Sequence, residues 1–217
     1  FFVTRLFYNF DEGKNSLKKH LDDHFTGLST IILIVDRSSN NNDLPKVYAF
    51  HTLFYKKLLS NGINCVKRWT KNKDIFENHI ILVPIHLTDH WCLVTLHMDT
   101  SLWPHKSCVY RIIVIDLEKH KMDYYDSLHQ DNSECLELLR KYLINEYLNK
   151  RKIPLDMDGW QFNFLKNIPR QENFCDCGVF CCLFAEFASR RAPITFTQKG
   201  IPDFRERIAN QISKKKL

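Results

Sequence analysis

Glycine and proline are scarce, 6 and 7 in 217 residues, which excludes collagen-like and low-complexity chains. Long hydrophobic runs are absent. The longest purely aliphatic stretch is Ile31–Val35, far short of the ~20 residues that span a bilayer, so no membrane insertion is expected. The sequence opens without a basic segment, apolar run and small-residue cleavage site. A reducing compartment is expected, and with it free thiols at the 8 cysteines. They include no Cys-x-x-Cys pair, so no metal site is expected. Tryptophan occurs at 69, 91, 103 and 160 only, with none upstream.

The chain is otherwise ordinary for a globular protein: 44% hydrophobic and 26% charged residues. Its length fits one domain, taken as 1–217 and expected to be a monomer. Net charge is +6. That moderate bias is compatible with an acidic protein partner or weak nucleic-acid contact and establishes neither; direct nucleic-acid binding is not expected. Lys214-Lys215-Lys216 reads as a solvated tail.

Ile31–Val35 is short and wholly apolar, as in a buried strand, and 37–43 reads as a polar loop closed by Leu44-Pro45. Phe50, Leu53, Phe54 and Leu58 share a face, which predicts a helix over 47–60 stopped by Gly62. Strands are expected at 80–85, ending at Pro84, and at 91–97. A hairpin of 109–115 and 121–126 turns around Leu117–His120. A helix capped by Ser133 runs to about Lys150 on the stripe Leu136, Leu139, Leu143 and Tyr147. Helices follow at 178–190 and from Pro202. Helices before and after a strand set indicate an α+β fold.

The chemistry concentrates at Gln171–Phe180. Cys177 and Gly178 lie where a polar turn meets an apolar helix, so the thiol feels the positive end of the dipole, which favours thiolate. A lone cysteine there is more often a buried core residue. A nucleophile also needs a base, an orienter and an oxyanion donor. His90 opens one expected strand and Asp126 closes another, so antiparallel neighbours would bring them together. Gln171, six residues before Cys177, could fold back and donate its amide. Cys181 and Cys182 read as small core hydrophobes.

Ordered segments carry a resemblance: Phe54-Tyr55-Lys56-Lys57-Leu58, Val66–Lys71, Val83–Leu87, His90-Trp91-Cys92-Leu93, Tyr124–Ser127, Ile168–Gln171, Asp176–Phe180 and Ile194–Gln198. Together they resemble the sentrin/SUMO-specific proteases, ubiquitin-like-protein-specific cysteine proteases, over roughly 47–217. Residues 1–46 are an atypical opening. The resemblance implies a papain-like fold, with a central, mostly antiparallel sheet flanked by helices. It implies a thiol protease that cleaves after the C-terminal Gly-Gly of SUMO, matures precursors and removes SUMO from target lysines. Cys177 is then the nucleophile, His90 the base and acid, Asp126 its orienter and Gln171 the oxyanion donor. Trp91 would wall the tunnel that holds the Gly-Gly tail, His86 would lie near the scissile bond and Arg68 would meet the SUMO surface. No cofactor is implied. Partners would be SUMO and SUMO-conjugated proteins, in the nucleus first and the cytoplasm second.

Three departures accompany it. No tryptophan precedes residue 69 to form the second tunnel wall, Leu53 replaces an aromatic, and 97–111 looks inserted between His90 and Asp126. The alternatives are a protease for another ubiquitin-like protein, or an inactive SUMO-binding module.

Overall fold

Alternation along the central strands is what builds the molecule. The computed structural model describes residues 23–86, 110–173 and 175–214. Strand β2 (Ile80–His86) lies antiparallel to β3 (Tyr110–Asp116), with Ile80 opposite Asp116 and His86 opposite Tyr110. Strand β4 (Lys121–Tyr125) runs antiparallel to β3. The edges are parallel pairings: β1 (Val47–Ala49) on β2 and β5 (Gln161–Phe164) on β4, giving the order β1-β2-β3-β4-β5. Antiparallel ladders thus hold the centre.

Both faces of the sheet are covered, which explains why β2 and β3 read as continuous apolar runs. Ile80, Leu82, Ile112, Val114 and Tyr125 share one core with helices α1 (Asp23–Asn40), α5 (Cys177–Ser189) and α6 (Ile201–Lys214). Ile81, Val83, Ile85, Ile113, Ile115, Met122 and Tyr124 face the other core. That core is filled by α2 (Leu53–Asn61), the short α3 (Ile63–Val66) and α4 (Ser133–Arg151).

Several expectations change. Ile31–Val35 is helical, inside α1. A five-residue aliphatic run fits either state, and the burial of Ile31, Ile34 and Ser38 at spacings of three and four shows why helix wins. The helix continues through the expected loop to Asn40. Ser38 Oγ donates to Pro45 O (2.7 Å) and accepts from Val47 N–H (2.8 Å), tying α1 to β1. Residues 47–49 are strand rather than helix, because β2 offers them a parallel ladder. Helix α2 starts at Leu53 and stops as expected at Gly62, whose φ of 73° suits glycine and whose N–H meets Leu58 O.

Strand β2 passes through Pro84. Leu82 O accepts from Phe50 N–H (2.9 Å), so Pro84 directs its missing donor to the same side, where β1 has ended. Asn132, not Ser133, caps α4 through Cys135 N–H (3.0 Å). The hairpin and the last two helices appear as expected. The expected strand 91–97 lies outside the described residues. Among the described residues, no helix is long and apolar enough to cross a membrane.

Candidate active site

Cys177 is the first residue of α5 and only 2% exposed. The apolar run that follows (Val179, Phe180, Leu183, Phe184) buries the helix against the sheet and fixes where its N-terminus points. One turn on, burial drives the Cys181 thiol far up, so it stays protonated and inert. Burial likewise pushes Cys135 up to about 12.

Asp126 follows the last residue of β4 and is buried. Its Oδ1 accepts from Leu128 N–H (2.9 Å) and its Oδ2 from Gln130 N–H (3.2 Å). A partner not foreseen from the sequence also holds it: Arg111 Nε donates to Oδ2 at 2.9 Å, while Arg111 Nη2 donates to Gln130 Oε1 at 2.7 Å. Both members of this ion pair are buried. The sequence did carry a signal, a charged residue inside the apolar run of β3, which demands a partner.

Gln171 lies beside the same strand end. Its N–H donates to Ser127 O (3.0 Å), its Oε1 accepts from Ser127 Oγ, and its Nε2 donates to Asn173 O (2.6 Å). Asn173 Oδ1 accepts from Cys175 N–H and Asp176 N–H, both at 3.0 Å, shaping the turn into α5. Asp176 then accepts from Asn173 Nδ2 (2.7 Å), Gln198 Nε2 (2.8 Å) and Arg205 Nη2 (2.8 Å). Burial opposes its ionisation, but these bonds outweigh burial and hold the carboxyl below its usual range. Hydrogen bonds therefore run from Ser127 through Gln171 and Asn173 to Asp176, the residue preceding Cys177.

Of the remaining sequence candidates, His86 ends β2, half-buried, with its ring stacked on Tyr110 (4.8 Å between centroids). Arg68 is exposed in the turn after α3. His90 and Trp91 lie outside the described residues, as does Trp103-Pro104 of the apparent insertion. Its final residues, Tyr110 and Arg111, open β3. Among the described residues, no group of three His, Cys, Asp or Glu side chains could hold a metal.

Residues 19–217 match the Ulp1 protease family, C-terminal catalytic domain. The match begins well before residue 47, where the resemblance read from the sequence begins, and so takes in much of the opening read as atypical. A Sentrin-specific protease of Caenorhabditis elegans is 43% identical over 185 residues, 85% of this chain and 24% of that protein. Human Sentrin-specific protease 2 is 39% identical over 187 residues, 85% of this chain and 28% of that protein. The chain thus spans about a quarter of the length of these relatives. Among solved structures, the C-terminal Ulp1 protease domain in complex with Smt3, the yeast ortholog of SUMO, superposes with a TM-score of 0.68. It is 27% identical and covers 91% of this chain and 78% of its own. A SUMO protease Ulp1 with its catalytic cysteine oxidized to a sulfenic acid superposes with a TM-score of 0.65 at 26% identity, covering 91% of this chain and 79% of its own. With the family match covering nearly the whole sequence and the sheet and helices superposing on that domain, the chain belongs to the Ulp1 protease family.

Proposed function

We propose that the chain is one catalytic domain that cleaves after the C-terminal Gly-Gly of SUMO, maturing precursors and releasing SUMO from target lysines. The observation that carries this reading is Cys177 at the first position of α5, joined to buried Gln171 through Asn173 and Asp176. The naming of its relatives as Sentrin-specific proteases, and the Ulp1 domain complexed with Smt3, support SUMO as the partner.

In this reading the Cys177 thiolate attacks the carbonyl carbon of the last glycine. His90 has taken the thiol proton and gives it to the leaving lysine amine. The oxyanion receives N–H groups from the start of α5 and from Gln171, whose amide nitrogen carries two protons and spends one on Asn173. Such a donor lowers the barrier by about 3 kcal/mol. Water then attacks the thioester, gives its proton to His90, and the thiol is restored. Asp126 orients the imidazole and Trp91 walls the slot that admits only glycines. His86 lies near the scissile bond and Arg68 meets the SUMO surface. The chain acts as a monomer, without a cofactor, in the nucleus first and the cytoplasm second.

The test is hydrolysis of a SUMO C-terminal fluorogenic substrate, beside the same reporter on other ubiquitin-like proteins. Turnover with SUMO that falls to background in Cys177→Ala is expected. SUMO binding without turnover overturns the enzyme reading, and turnover that survives Cys177→Ala overturns the nucleophile.

A further inference from the structure

Aspartate is among the best helix N-caps, because its carboxylate accepts from the second or third amide of the helix. Asp176 occupies that position on α5, yet its side chain makes no capping bond. Its backbone, at φ −97° and ψ −2°, is not the extended conformation usual for a cap. The carboxylate is taken up elsewhere. Arg205 Nη2 and Nε reach Oδ1 at 2.8 and 3.3 Å, and Asn173 and Gln198 hold Oδ2. The same Arg205 Nη2 donates to Cys175 O at 2.7 Å, so one guanidinium grips the two residues before Cys177. Its helix, α6, is anchored by buried Ile201, Ile208 and Ile212. Gln198 Oε1 accepts from Glu172 N–H (3.1 Å), which ties the other flank of the turn.

We infer that Arg205 is a positioning residue for Cys177: it draws the Asp176 carboxylate off the amides of α5 and cancels its charge beside the thiol. The inference rests on Cys177 being the nucleophile. A capping carboxylate would take the N–H groups that otherwise stabilise a thiolate, and a bare one beside the sulfur would oppose its ionisation. With Arg205 in place, the helix end serves the sulfur instead. Other titratable groups do not substitute for Arg205: Cys181 and Cys182 are buried in α5, Cys181 is held protonated, and Glu172, in the turn tied to Gln198, and Glu206, next to Arg205 in the sequence, carry the wrong sign.

The test follows alkylation of Cys177 by iodoacetamide against pH, read by peptide mass spectrometry. The proteins compared are the unaltered chain, Arg205→Met, Arg205→Lys and the double variant Arg205→Met/Asp176→Ala. Far-UV circular dichroism verifies that all four share one fold. In Arg205→Met the alkylation midpoint should rise by about one pH unit, so that the rate near neutrality falls up to about tenfold. Arg205→Lys, which keeps the charge, should recover at least half of the shift. The double variant, with neither charge nor cap, should return to the unaltered midpoint. With SUMO substrate, kcat should fall while KM holds. Titration of Arg205→Met like the unaltered chain, or a shift that Asp176→Ala leaves in place, overturns the inference. Alkylation needs no turnover, so failure to cleave SUMO would overturn the function proposed above and leave this inference to the titration.

Discussion

Arg111 and Asp126 sit opposite each other where β3 begins and β4 ends, because Ile112 pairs with Tyr125 and the register continues one step. Two buried charges stabilise little in net terms, but removing one strands the other. Arg111→Met should therefore cost about 3–5 kcal/mol, read as a lowered urea midpoint, and Arg111→Met/Asp126→Leu should recover most of it. Asp176 is a second residue with a measurable consequence. Its folded carboxyl is held below the unfolded value, so its contribution is present at neutral pH and lost as pH falls through the folded value. Stability should decline below pH about 4, and Asp176→Asn should flatten that decline in urea titrations from pH 7 to 2. The nearness of Gln171 to the turn before Cys177 was legible because one short stretch holds both. Arg111 and Arg205 were not read as partners of the site, because ion pairs spanning 15 and 29 positions leave no local periodicity.

The elements that could be read were those whose own residues decide them. The apolar runs of β2 and β3 are buried on both faces, α4 and α6 carry stripes at helical spacing, and α5 is apolar and buried all round from Cys177 to Ala185. The edge strands β1 and β5 have three and four residues and exist because a neighbour completes them, which no local signal records. Helix α1 was mistaken for a strand because its aliphatic run was weighed without the small buried residues, Thr30 and Ser38, on either side. It is nevertheless a structural element of the first rank. It packs on α5, and Arg37 Nη1 donates to Glu186 Oε1 at 2.6 Å. Ile34 is fully buried in that contact. Ile34→Ala should cost about 2–5 kcal/mol in thermal or urea unfolding. Part of the loss should appear as faster hydrogen exchange in α5, the helix it supports.

At the scale of the whole molecule, the sheet divides two cores, and the helix bearing Cys177 belongs to the one closed by α1 and α6. A net charge of +6 surrounds this frame. If the partner is acidic, association is steered by that field and screened by salt. The second-order rate of the proposed SUMO cleavage should then fall several-fold between about 20 and 200 mM salt, with kcat at saturation little changed. Arg205 lies in the last described helix, 29 positions beyond the aspartate it grips. During synthesis the ribosome therefore delivers the Cys177 sulfur before the guanidinium inferred to position it. On the reading proposed above, the nascent thiol ionises less readily until that helix has folded against the turn before it.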